Sequence, residues 1–203
     1  MKEDNNLKKL IQIALLASVG AVLMLFQLPY PGAGWYKLDL SDIPALIGGC
    51  ALGPWAGLAV VLLKNILFAL FRFSPEELVG IPMNLIANGI MVVIAALIYQ
   101  KTKTRINAAL GISTGVIVSA LSMIPANYFI LPLFMKIFMP NVPVPGGETL
   151  LYMILFFTLP FNAVKGLITG ILTFVIYKRI AIILRAEGEF ELPAKQSEQA
   201  SKA

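Results

Sequence analysis

Long apolar stretches alternate along the chain with short polar or Pro/Gly-rich breaks. The first stretch runs from Leu7 to Leu28 and is broken by Pro29, Pro31 and Gly32. The second is short, from Asp42 to about Leu52, with Asp42 placed as an N-cap and Pro44 in the first turn. Gly53-Pro54 ends it and opens the third, Trp55 to Phe71. A polar connector, Arg72 to Glu77, leads to the fourth, Leu78 to Tyr99. The fifth, Ala108 to Phe134, contains Pro125 and Pro132. After the loop MPNVPVPGGE, Met139 to Glu148, the sixth runs from Thr149 to Ile176 with Pro160 inside it. It is expected to continue as a polar-faced helix to Leu184. Arg185 to Ala203 reads as a polar, disordered tail.

Five of the six stretches are long enough to cross a hydrocarbon core about 30 Å thick; the second is not. The pattern predicts an all-α membrane protein, a six-transmembrane-helix bundle with a short second helix, in one domain over residues 1–184. Six crossings place both termini on one side. Lys2, Lys8, Lys9, Lys101, Lys103, Arg105, Lys178, Arg179 and Arg185 fall on that side, against only Lys37, Arg72 and Lys136 on the other. The excess of cations marks the termini as cytoplasmic. MKEDNNLKK followed by an apolar run resembles a signal peptide, but a signal's apolar core is only about 7–15 residues, so the first helix is read as retained.

Composition agrees. Of 203 residues, 13% are charged, against about 25% in a soluble domain, and the mean hydropathy is +0.82. The single cysteine, Cys50, cannot form an internal disulfide, and the chain has no histidine, which removes the commonest metal ligand and general base. The net charge of +5 lies at the ends of apolar segments, so it is a topology signal and not a nucleic-acid patch. No phosphate-binding G-x-x-x-x-G-K-[ST] loop, nucleophile elbow or H-E-x-x-H motif occurs, so the chain is expected to be no enzyme and not to hydrolyse ATP by itself.

Chemistry therefore rests on polar residues within the spans. Lys64, Asn84 and Asn127 fall in the outer half, Asn88 lies four residues past Asn84 on the same face, and Asn162 and Lys165 lie nearer the middle of the sixth segment. At the helical rise, Lys64, Asn84 and Asn127 lie roughly 9–12 Å below the outer boundary, which suggests a polar pocket opening outward. A charge in hydrocarbon costs about 3 kcal/mol, so such groups face the bundle interior or a wet cavity. Asparagines also bind helices to one another, a purely structural reading. The spans contain no acidic residue to neutralise Lys64 or Lys165, so ligand carbonyls or backbone oxygens are expected as their partners. Asp39 and Asp42, in the connector, are expected to stay solvated or to cap a helix. Trp35 and Tyr36 read as an interfacial aromatic belt. In the first segment, Ala14-x-x-x-Ser18 and Ala17-x-x-x-Ala21 put small residues where another helix could approach closely.

KLDLSDIPALIGGCALGPWAGLAVVLLKN, Lys37 to Asn65, together with PFNAVKG, Pro160 to Gly166, resembles the riboflavin-specific substrate-binding (S) components of energy-coupling-factor (ECF) transporters. The resemblance implies a six-helix membrane protein of a prokaryotic cell membrane that binds riboflavin from outside, with FMN as a further candidate and no cofactor besides the transported ligand. It implies partners: one transmembrane scaffold subunit and two cytoplasmic ATPases that hydrolyse ATP. It implies docking through small residues of the first helix, with Ala17 to Ala21 in the family pattern. It implies flavin contacts from Asn127 and from the Asn162–Lys165 pair, with Asn162 where some members carry Asp. The connector, with Lys37, Leu38 and Asp39, would close over the site as a gate. An S component for another vitamin, such as thiamin or biotin, is the alternative.

Overall fold

The computed structural model describes residues 2–189, with side chains described over residues 5–176. Helix α1, Lys2–Leu25, ends ahead of the proline-rich connector. That connector is not a plain loop, as the all-helical reading had it. Strands β1, Leu28–Tyr30, and β2, Ala33–Leu38, form an antiparallel hairpin that pairs Leu28 with Leu38 and Pro29 with Lys37. Gly32 turns it at φ +80°, where a residue without Cβ is favoured. Two strands alone are marginal in water, so this hairpin depends on what it packs against.

Helix α2, Asp42–Leu52, starts one residue earlier than an Asp42 cap would give, with Ser41 in the cap position and Asp42 in the first turn. Gly53, at φ +114°, reverses the chain into α3, Pro54–Phe71, with Pro54 at the first helical position. Helix α4, Pro75–Thr102, is capped by Ser74, whose hydroxyl accepts from the Glu77 amide at 3.3 Å. Helix α5, Arg105–Pro125, is capped in the same way by Thr104.

Two π-helical turns interrupt the remaining spans. One, Ala126–Ile130, joins α5 to α6, Leu131–Phe138. The other, Ile154–Thr158, joins α7, Gly147–Met153, to α8, Leu159–Glu189. Each lies beside a proline, Pro125 or Pro160, whose missing amide breaks the regular i→i−4 ladder. Among the described residues, five helical stretches are long and apolar enough to cross a membrane, and α2 is the short apolar sixth. The expected tail, 185–203, lies outside the described residues from 190 onward, and α8 runs through its first positions.

The core gathers Ile13, Leu16 and Ala17 of α1, Ala45 and Leu46 of α2, Val60 and Val61 of α3, and Met91 and Val92 of α4. Helices α4 and α5 meet through bare backbone: a Cβ at Gly111 would sit 2.6 Å from the Ala95 carbonyl oxygen, and one at Gly115 2.6 Å from that of Met91. Large apolar side chains such as Leu15, Val22, Leu97 and Ile117 face outward, as lipid contact requires.

Candidate functional site

The connector enters α2 through Asp39, Ser41 and Asp42, all buried: 6%, 0% and 0% exposed. The expectation that both aspartates stay solvated or cap a helix is therefore overturned. So is the expectation that Lys64 and Lys165 lack carboxylate partners. Lys64 Nζ of α3 donates to Ser41 Oγ at 2.6 Å and forms a close ion pair with Asp42 Oδ1. Lys165 Nζ of α8 donates to Asp39 Oδ2 at 2.9 Å and lies 3.4 Å from Asp42 Oδ2. That second contact is ionic only, since Asp42 Oδ2 has no hydrogen-bond partner. The Ser41 amide donates to Asp39 Oδ1 at 2.9 Å and fixes the turn. The physical reason for the correction is dielectric: an unpaired ammonium inside a bundle is so costly that the connector folds inward to supply carboxylates.

Asparagines extend the cluster. Lys165 Nζ donates to Asn84 Oδ1 at 3.3 Å, Asn88 Nδ2 donates to the same oxygen, and Asn84 Nδ2 donates to Asn65 Oδ1 at 3.2 Å. Asn65, adjacent to Lys64 in sequence, thus joins the network, and its own amide donates to the Val61 carbonyl at 2.7 Å. Lys64, Asn84, Asn88, Lys165 and the connector's Asp39 are brought together. Burial pushes the Asp39 carboxyl up, but the Lys165 and Lys64 ammoniums and the Ser41 hydrogen bond pull it down further, to about 2.

Asn127 and Asn162 stand apart from this network. Asn127, in the first π turn, donates to the Met123 carbonyl at 2.9 Å; Asn162, just past the second, donates to the Thr158 carbonyl at 2.8 Å. One amide N–H of each is held on its own helix, which fixes the side chain and leaves the second N–H and Oδ1 as the groups it can present.

The hairpin lies against this region through aromatic rings. Tyr36 stacks on Phe161 at 4.7 Å between centroids and hydrogen-bonds to Thr158 Oγ1. Tyr30 meets Phe161 edge-on at 5.4 Å, and Trp35 lies 5.9 Å from Phe157. Trp35 is exposed, as a belt residue should be, whereas Tyr36 faces inward. Of the gate residues, Lys37 forms an ion pair with Glu77 of α4 at 2.6 Å, and Leu38 is half-buried in the strand.

On α1 the two small-residue patterns lie side by side, one turned into the bundle and the other exposed at its edge. Ala17 and Ala21 are 1% and 5% exposed and pack inside the bundle, so they are not a surface a partner can reach in this conformation. Ala14 and Ser18 are exposed, with the Ser18 hydroxyl donating to the Ala14 carbonyl at 2.8 Å. Successive α-helical positions are about 100° apart, so patterns offset by three residues form adjacent stripes about 60° apart, and the edge of the buried face falls between them.

The family model for "ECF transporter, substrate-specific component" matches residues 8–177. The riboflavin transporter RibU of Staphylococcus aureus (strain TCH60) is 32% identical over 181 residues, covering 88% of this chain and 93% of that protein. The riboflavin transporter FmnP of Bacillus subtilis (strain 168) is 30% identical over 179 residues, covering 85% and 92%. A solved S component of a bacterial ECF transporter superposes with a TM-score of 0.73 at 29% identity, covering 88% of this chain and 98% of that one.

Proposed function

The chain belongs to the substrate-specific component family of ECF transporters, and from that premise we propose that it binds riboflavin and delivers it for uptake. It is a multi-pass protein of the cell membrane. The observation that carries the ligand assignment is the similarity to riboflavin transporters along nearly the whole chain.

In this reading the bundle crosses six times with both termini cytoplasmic, and residues 1–184 act as one unit. The hairpin connector, with Lys37, Leu38 and Asp39, covers the outer opening. A flavin's pyrimidine edge presents two carbonyl oxygens flanking one N–H. Asn127 and Asn162, each with one amide N–H tied to backbone, keep an Oδ1 acceptor for this N–H and a second N–H donor for a flanking carbonyl. Tyr36, Phe161, Trp35 and Phe157 supply apolar faces for a flat ring system. Asn84, Asn88, Lys64 and Lys165 are the polar network behind the ring. Exposed Ala14 and Ser18 of α1 are the place for a scaffold subunit's helix, and two ATPase subunits supply the energy. No cofactor is needed besides the ligand itself.

The test is direct. Protein purified from cells should be yellow and fluorescent, and denaturation should release riboflavin identified by mass. Colourless protein releasing thiamin or biotin would replace the ligand assignment while keeping the family.

A further inference from the structure

We propose that Asn65 and Asn84 are positioning residues: two polarised amides that start from the Val61 carbonyl, end on Lys165 and set the direction in which its ammonium points. This role rests on the reading of the region as the flavin site, and it gives both asparagines a part in binding without contact to the ligand.

Hydrogen-bond polarity sets the orientation. The oxygen and the nitrogen of an asparagine amide are close in size, so shape alone does not choose between its two orientations; the partners do. The Val61 carbonyl can only accept, so the Asn65 amide turns Nδ2 toward it at 2.7 Å and Oδ1 toward α4. That oxygen takes one N–H of Asn84 Nδ2 at 3.2 Å, and Met24 Sδ of α1 lies 3.9 Å from the same nitrogen. Asn84 Oδ1 is thereby turned to the other side, where Lys165 Nζ donates to it at 3.3 Å and Asn88 Nδ2 donates as well. Reversing Asn84 would set N–H against N–H at Lys165 and Asn88, and oxygen against oxygen at Asn65. One backbone acceptor on α3 therefore decides which atom α4 offers to α8.

The ammonium follows. A lysine ammonium has three N–H donors. Asp39 Oδ2 takes one at 2.9 Å and Asn84 Oδ1 takes another; Asp42 Oδ2, 3.4 Å away, interacts by charge without a hydrogen bond. Two directed bonds fix the third N–H of a tetrahedral group. Asn65 is 2% exposed and Asn88 5%, so their amides are shielded from solvent, whereas Asn84 is half-buried beside the lysine.

A double-mutant cycle separates positioning from plain helix-to-helix contact. Asn65→Leu and Asn84→Leu are each expected to weaken flavin binding by about three- to tenfold in fluorescence titrations, the effect of one lost hydrogen bond. In a Lys165→Met background neither should weaken binding further, because the ammonium they aim is gone. Asn107→Leu removes an amide that also donates to a backbone carbonyl, that of Ile98 at 3.3 Å, at the other end of α4; it should bind flavin like the parent. A second readout needs no ligand. In NMR spectra of protein carrying isotopically labelled asparagine, Asn65→Leu should shift and broaden the Asn84 side-chain amide signal, because that amide then samples both orientations. Asn107→Leu should leave the signal in place. Parent-like affinity in both single variants, an undiminished loss in the Lys165→Met background, or an unchanged Asn84 signal in Asn65→Leu would overturn this role, and a lowered melting temperature with parent-like affinity would reduce both residues to helix packing. If the parent protein binds no flavin, the ligand assignment fails, and the Asn84 amide signal decides the positioning role by itself.

Discussion

At the hairpin end of the bundle, Asp39, Asp42, Lys64 and Lys165 meet in the interior and are joined by a chain of asparagines. Toward the opposite end, α4 and α5 touch through the glycines of α5 and the carbonyls of α4. The first kind of contact is made of discrete bonds between groups far apart in sequence, and it can be exchanged for other bonds if the connector moves. The second is contact of surfaces with no space to give, so it can only be kept or lost. A binding protein that must admit a ligand at one end and keep its helices in register needs both, and here they are separated along the bundle.

The largest break in that comparison comes from Lys64→Met. It leaves Asp42 buried with its main partner gone, and the stability in detergent is expected to fall by about 3–5 kcal/mol. Adding Asp42→Leu should recover most of the loss, because the uncompensated charge then disappears. A Lys64→Met protein that melts like the parent would mean that the pair is solvated in the membrane.

Next is Gly111→Ala, where the new methyl would meet the Ala95 carbonyl oxygen at 2.6 Å. Overpacking of this kind costs about 1–3 kcal/mol, read as a lower melting temperature. Flavin affinity of the folded fraction should be unchanged; a parallel loss of affinity would show that the two ends are not separable.

A smaller effect is expected from Asn127→Ala and Asn162→Ala. Each removes one acceptor worth about 0.5–1.5 kcal/mol, a weakening of up to about tenfold in flavin fluorescence titrations. Parent-like affinity in both would confine these residues to holding their π turns.

The smallest effect is that of pH. The Asp39 carboxyl is held at about 2 against an ordinary value of 3.8. A depressed acid contributes stability in full above its ordinary value and loses it as pH falls through the lower one. Its share should therefore be constant from pH 8 to pH 5 and decline only between about pH 4 and pH 2. Thermal stability in detergent that falls between pH 7 and pH 5 in the parent but not in Asp39→Asn would contradict a paired Asp39.

Much of this was legible in the sequence. The spans followed from runs of apolar residues bounded by prolines, glycines and charges, and observed helices such as Pro54–Phe71 and Pro75–Thr102 lie within a few residues of their expected ends. The polar positions within the spans were found for the same reason, since a lysine or asparagine in an apolar run stands out by itself. The hairpin was missed because Leu28 to Leu38 carries two prolines and two glycines, which read as a loop; its strands are stabilised by rings on the second π turn and α8 that local pattern cannot see. The inward face of Ala17 and Ala21 was missed because a small-residue spacing is the same for an internal and an external contact.

By itself the sequence determined which segments leave water and which charges cannot remain there alone. Those are short-range properties, set by the transfer cost of each residue and summed along a helix. Only the tertiary structure decided how the charges are satisfied. Lys64 finds its carboxylate 22 residues away and Lys165 finds its own 126 residues away. Both come from a connector whose aspartates looked destined for solvent. Hydropathy assigns each residue a cost but no partner, and in a low-dielectric interior it is the partner that fixes where the connector lies.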